Sequence, residues 1–261
     1  MSLLEIKNYS VINSKEEKES FILKNITFSV NESDTLAIIG ESGSGKSTIA
    51  KSIICLIDKN LKVKGGEIFF EKRDVLKLTA EEKRLLRRDK ISFLPQESLN
   101  VLDPLKKVGQ QIFEVISHET RFTKNQKENL VIKQLKDCAF KDPEQIWHKY
   151  PFELSGGNRQ KILFAIAAIS KPKLLIADEP TSSLDFESKN EILELLTRFK
   201  ETNNILIFIT HDIILASKIS NRIVVLKSGE VIEAGLTAEL FNNPKEEYTK
   251  MLIDNAKKID W

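Results

Sequence analysis

Eight consecutive residues, Gly40-Glu41-Ser42-Gly43-Ser44-Gly45-Lys46-Ser47, follow the pattern of glycine, four residues, glycine, lysine and serine. Such a segment can hold a nucleoside triphosphate. Glycines let the backbone curl so that successive amide N–H groups face an anion, and a helix beginning there adds its positive N-terminal end. Lys46 is placed to reach the β- and γ-phosphates, and the Ser47 hydroxyl suits Mg²⁺, a hard cation that takes oxygen ligands. Thr48 is a further candidate for phosphate contact. The loop alone leaves kinases, GTPases and motors open.

Two further segments narrow the chemistry. Leu174-Leu175-Ile176-Ala177-Asp178-Glu179 is an apolar run that ends in two carboxylates. Asp178 fits the metal-side acid of a phosphate site. Glu179, pointing the other way at a strand end, can accept a proton from an attacking water or orient it. The pair points to hydrolysis. In Leu154-Ser155-Gly156-Gly157-Asn158-Arg159-Gln160, Ser155 and the two glycines open a helix expected to run through Ile169, and its N-terminus can approach another phosphate without side-chain obstruction.

The elements that must position these groups are read from hydrophobic periodicity. Strands are expected at residues 3–6, 22–30 and 35–40, the last running directly into the glycine-rich loop. After the loop Ile49, Ile53, Ile54 and Ile57 recur at helical spacing, and a strand and turn are expected at 67–74. From 108 to 150 the segments read as helices with no strand between them, a helical lobe. Near-continuous apolar runs at 174–178 and 205–210 suit parallel strands covered on both faces. Residues 222–226 and 230–233 flank Lys227, Ser228 and Gly229 as a hairpin. The expected fold is α/β, folded nearly throughout, with a short polar tail after Ile253 and no internal repeat or low-complexity segment.

Composition narrows the partners. With 40 Lys and Arg against 38 Asp and Glu, a formal charge of +2, the chain has no field that favours a nucleic-acid partner. Cys55 and Cys138, the only cysteines, lack the paired spacing of a zinc site or a disulfide framework. No stretch has the apolar length to span a bilayer, and residues 1–11 alternate like a strand rather than like a signal peptide. A cytoplasmic protein is expected, one that serves a membrane process only by docking on partners that span. At 261 residues, one large domain, or one domain with a lobe, fits.

The segment from Leu154 to Gln160 closely resembles the signature motif of ATP-binding cassette (ABC) proteins, and it lies between the two nucleotide motifs. Gln96 in Phe93-Leu94-Pro95-Gln96, Asp185 in Ser182-Ser183-Leu184-Asp185 and His211 in Thr210-His211-Asp212 match further family positions in family order. The resemblance implies a P-loop NTPase core of the ABC ATPase type with an antiparallel β subdomain and an inserted α-helical subdomain. Residues 1–96 and 155–235 would form the core and β subdomain, 97–154 the helical subdomain and 236–261 a C-terminal tail. ATP and Mg²⁺ are the implied cofactors. By this resemblance Gln96 touches Mg²⁺ and water, Asp185 couples two sites, and His211 contacts the γ-phosphate. Ser155, Gly156 and Gly157 would act on nucleotide held by a second subunit, which implies a head-to-tail dimer. His118 and His148 lie away from any motif and read as surface or packing residues.

Three linking segments are similar to those of oligopeptide, dipeptide and nickel importers. They are Gln96-Glu97-Ser98-Leu99-Asn100-Val101-Leu102-Asp103-Pro104 with Val108-Gly109-Gln110-Gln111-Ile112, then Tyr150-Pro151-Phe152-Glu153, then Thr237-Ala238-Glu239-Leu240-Phe241-Asn242-Asn243-Pro244 with Tyr248-Thr249-Lys250. This implies a peripheral ATPase at the cytoplasmic face of the membrane. Its implied partners are an identical or related second ATPase subunit, two integral-membrane permease subunits and an extracytoplasmic substrate-binding protein, with no nucleic acid. The carbon-phosphorus lyase system includes a similar cassette, so an ATPase of a soluble enzyme complex is the alternative. Asn158 and Lys161 stand where Met or Gln, and Arg, are commoner. The family's adenine-stacking aromatic aligns near Asn13, with Tyr9 and Phe21 as candidates. The chain ends at Trp261 without the Cys-bearing extension of some oligopeptide members, which keeps dipeptide or nickel cargo open.

Overall fold

Apolar runs bounded by polar turns become strands, and runs with helical spacing become helices. In the computed structural model, which describes residues 2–15, 20–96, 101–201 and 204–259, the chain opens with β1 (Ser2–Asn13), β2 (Ser20–Asn31), β3 (Thr35–Ile39) and α1 (Lys46–Ile53). β4 (Leu61–Phe70), β5 (Arg73–Asp74), α2 (Ala80–Asp89) and β6 (Ile91–Leu94) come next. Four helices follow, α3 (Val108–Val115), α4 (Lys124–Asp137), α5 (Pro143–His148) and α6 (Gly156–Ala168). The chain then forms β7 (Leu174–Asp178), α7 (Phe186–Glu201), β8 (Ile205–Thr210), α8 (Ile213–Ile219), β9 (Arg222–Lys227), β10 (Glu230–Leu236), α9 (Thr237–Asn242) and α10 (Glu247–Ile259). Glu97, Ser98, Leu99 and Asn100, which carry part of the importer resemblance, and Trp261 lie outside the described residues.

The chain divides into two compact units, Met1–Arg87 together with Asn203–Trp261, and Arg88–Thr202. In the first, β1 pairs antiparallel with β2 and β4, and β5 extends β4, giving a four-stranded antiparallel sheet. β3 pairs in parallel with β8 and β9, and β9 turns back into antiparallel β10. Every residue of β3 and β8 is buried, which is why both read as unbroken apolar runs. Ile39, Ile213, Val225, Leu240, Tyr248 and Ile253 belong to one core cluster that ties these strands to α8, α9 and α10.

Two expectations change in this unit. The strand expected at 67–70 begins at Leu61: Gly65 and Gly66 interrupt its apolar alternation, yet Gly65 still pairs with Ser10 of β1, and Gly66 lies where the register of that ladder shifts. The polar tail expected after Ile253 is instead helix through Ile259. Leu252 and Ala256 continue the stripe of Tyr248 and Ile253 onto the same cluster, and that burial holds the last turns.

In the second unit β6 and β7 pair in parallel, with Leu94 opposite Ala177. Helices α3, α4 and α5 occupy the stretch between 108 and 150. Local signals set their starts: Thr123 and Gln126 form a capping box on α4, and Asp142 caps α5 ahead of Pro143. α6 is buried over most of its length and packs on α7, where Lys161 reaches Glu191 at 3.2 Å.

Candidate functional site

β3 delivers the glycine-rich loop. Its last residue, Ile39, pairs with Thr210 of β8 and Val225 of β9, so Gly40 leaves the sheet at the same edge as His211. The loop turns through Gly43 and Gly45, whose φ angles of +80° and +101° strain an L side chain. A Cβ on Gly45 would also lie 2.6 Å from Leu23 Cδ2. One on Gly43 would meet nothing within 4 Å, so this part of the loop borders open space, as a phosphate cradle must. Glu41 and Ser42 are exposed, whereas Ser44 is buried and its Oγ has no hydrogen-bond partner among the described residues. A phosphate oxygen held by the loop would supply a partner for that hydroxyl.

Lys46 opens α1 and is 5% exposed. Its Nζ donates to Gly40 O and to Glu41 O, each at 2.8 Å. Phosphate oxygens would replace these neutral acceptors with stronger, charge-assisted ones. Ser47 and Thr48 follow in the first turn. Among the described residues no side-chain hydrogen bond caps this helix end, and its leading N–H groups have no acceptor within the helix. His211 is exposed between β8 and α8. Asp212 fixes that junction, donating its amide to Thr210 Oγ1 at 3.0 Å and accepting Leu215 N–H at 2.8 Å as the cap of α8.

In the second unit, strand register sets the carboxylates. Gln96 stands two residues past Leu94 and Glu179 two past Ala177, and those two strand residues are partners. The result is a contact: Gln96 Nε2 donates to Glu179 Oε2 at 3.2 Å. Asp178 ends β7 and is 5% exposed. Glu179 does not extend the pleat but takes φ +44°, and its carbonyl accepts the Ser182 amide at 3.1 Å and hydroxyl at 2.9 Å. Glu179 therefore leaves the strand in a left-handed backbone conformation, one that costs energy in a glutamate.

Ser155 caps α6, its Oγ accepting Asn158 N–H at 3.3 Å, and both Ser155 and Gly156 are exposed. Gly157 is buried. A Cβ there would lie 2.2 Å from Ser188 Oγ, so this glycine is demanded by the approach of α6 to α7. Ser188 in turn donates its amide to Asp185 at 3.0 Å and its hydroxyl at 2.8 Å, bonds that hold the Asp185 carboxyl below its usual range. Sequence reading misses Ser188, although an Asp followed three residues later by a polar first-turn side chain is a capping signal.

The adenine-stacking candidates separate. Tyr9 is fully buried and cannot offer a ring face to a nucleotide, whereas Phe21 is 42% exposed. His118 lies 3.7 Å from both Asp89 and Glu119, and His148 ends α5.

A buried parallel strand that feeds a glycine-rich loop and a helix, in a chain with a second strand ending in acids, defines a P-loop nucleoside triphosphatase. Residues 23–182 match the ABC transporter family, and the chain belongs to that family as an ATPase that binds and hydrolyses ATP. It is 36% identical over 261 residues to the metal-staphylopine import system ATP-binding protein of Staphylococcus aureus, with 100% of this chain and 95% of that protein covered. It is 34% identical over 260 residues to the dipeptide transport ATP-binding protein of Lactococcus lactis, with 99% and 74% covered. Among solved structures, the dimeric ATP-binding cassette MJ0796 in a post-hydrolysis state with ADP and Pi matches with a TM-score of 0.80 and 30% identity, over 90% of this chain and 98% of that one. Among the described residues, no helix is long and apolar enough to cross a membrane.

Proposed function

We propose that this chain is the ATP-hydrolysing subunit of an ABC importer for peptides, nickel or other metal chelates, peripheral to the cytoplasmic face of the membrane. The observation that carries this reading is the likeness to importer ATP-binding subunits along the whole chain, beyond the shared nucleotide motifs.

In this reading Gly40, Glu41, Ser42, Gly43, Ser44, Gly45, Lys46, Ser47 and Thr48 cradle the triphosphate, with Lys46 on the β- and γ-phosphates. Ser47, Asp178 and Gln96 offer hydroxyl, carboxylate and amide oxygens, a hard donor set that fits Mg²⁺, and Gln96 keeps its carbonyl oxygen because only its NH₂ engages Glu179. Mg²⁺ bound there neutralises phosphate charge during transfer. Glu179 holds the attacking water and takes its proton, while Gln96 orients the carboxylate. His211 contacts the γ-phosphate. The water oxygen bonds to the γ-phosphorus, the bond to the β–γ bridging oxygen breaks, and ADP and phosphate result.

Ser155, Gly156 and Gly157 act on the nucleotide of a second cassette, identical or related, and Asp185 links the two sites. Binding closes the pair and hydrolysis opens it. Residues 97–154 serve as the inserted helical subdomain and 236–261 as the C-terminal tail, and the stroke drives two permease subunits served by an extracytoplasmic substrate-binding protein. The test is ATP hydrolysis in reconstituted membranes. A capture protein loaded with peptide or metal chelate should stimulate turnover above the empty form. Copurification with a large soluble enzyme assembly, and no integral-membrane subunit, would overturn the importer reading.

A further inference from the structure

None of these roles uses the C-terminal helix, yet α10 touches the phosphate loop. Tyr248 is 7% exposed and shares the core cluster with Ile39, Ile213 and Val225. Its hydroxyl oxygen accepts the Glu41 amide N–H at 3.2 Å, and Lys227 Nζ lies 4.7 Å from the centre of its ring. The carbonyl of Glu41 faces the other way, accepting Lys46 Nζ at 2.8 Å and the Ser44 amide at 3.2 Å. Glu41 is thus tied through its N–H to the C-terminal helix and through its C=O to the loop's own lysine. A bound phosphate competes for the second tie, since the three hydrogens of one ammonium must be shared between the loop carbonyls and the phosphate oxygens. It does not compete for the first, because that N–H is turned toward Tyr248. Burial, above all, holds the phenol above its usual range, so the hydroxyl stays neutral at physiological pH.

We propose that Tyr248 is a positioning residue for the nucleotide: it anchors the first turn of the phosphate loop from behind, so the loop keeps its curl when Lys46 moves from Glu41 to phosphate. Nucleotide affinity then depends on the Tyr248 hydroxyl and its bond to Glu41. This inference rests on the phosphate-loop reading given above.

The test is equilibrium titration of the full chain with ATP and Mg²⁺, alongside thermal unfolding of the nucleotide-free protein. Tyr248→Phe keeps the ring and its packing and removes only the hydroxyl. Its ATP affinity should fall by about three- to tenfold, the worth of one hydrogen bond, with turnover at saturating ATP near wild type. Leu240→Ala removes packing from the same cluster without touching the loop, and should lower Tm further while leaving affinity within about twofold. Wild-type affinity in Tyr248→Phe, or an affinity loss in Leu240→Ala that tracks its loss of Tm, overturns the proposal. Lys46→Ala separates the two readings. If it loses ATP while Tyr248→Phe does not, the Tyr248 role alone fails; if it binds normally, the phosphate-loop reading fails and the Tyr248 role with it.

Discussion

Gln96 donates its side-chain amide to Glu179 at 3.2 Å, joining residues 83 apart in the chain through the parallel register of β6 and β7. The bond orients the carboxylate assigned to the attacking water. Gln96→Ala should therefore slow turnover by about tenfold or more, with a much smaller change in ATP affinity. Steady-state kinetics with varied ATP checks this; turnover at the wild-type rate in Gln96→Ala would count against Gln96 as the residue that orients Glu179.

Gly157 is fixed by packing. A Cβ there falls 2.2 Å from Ser188 Oγ and 2.6 Å from Ser188 Cβ. Gly157→Ala should destabilise the protein by about 1–3 kcal/mol, the usual range for overpacking. Adding Ser188→Gly removes both clashing atoms and should restore part of the loss. Denaturant unfolding of the single and double variants measures this, and additive losses would contradict the contact.

Asp185 has its carboxyl held low by the Ser188 amide and hydroxyl. A depressed folded-state pKa contributes stability that is present above the unfolded value, near 3.9, and is lost as pH falls through the folded one. Asp185→Asn should flatten this part of the acid limb of the stability curve below about pH 5 and leave the neutral region with little pH dependence. Thermal unfolding of both proteins between pH 7 and 2 tests the sign.

Cys138 is buried, and burial pushes its thiol up to about 12. Cys55 is half-buried and its thiol is raised as well, again first by burial. Alkylation at pH 8 should therefore be slow at Cys55 and absent at Cys138 until the chain unfolds, as mass spectrometry of the labelled peptides would show.

The phosphate loop is legible in the sequence because its backbone shape restricts residue choice. Gly43 and Gly45 sit at φ angles that side chains resist, directly ahead of Lys46 and Ser47. Strands β3, β7 and β8 are legible for another reason: burial of every residue writes an unbroken apolar run. Helix α2 buries none of its residues and so has no apolar stripe to reveal it. The left-handed turn at Glu179 is equally hidden, since glutamate carries no signal for that conformation. Contacts made across the fold, Gln96 with Glu179 and Tyr248 with Glu41, depend on register and packing that no local window contains. Tyr248 stands in a segment legible by resemblance alone, and its position against the loop gives that segment a physical task.

The central claim is that Glu179 activates water against ATP held by the loop around Lys46. Its most direct test measures ATP binding and phosphate release in one preparation of Glu179→Gln, assembled with its partner subunits. Binding as tight as wild type with phosphate release at least about a hundredfold slower is the predicted result. Phosphate release at the wild-type rate with binding intact would contradict it.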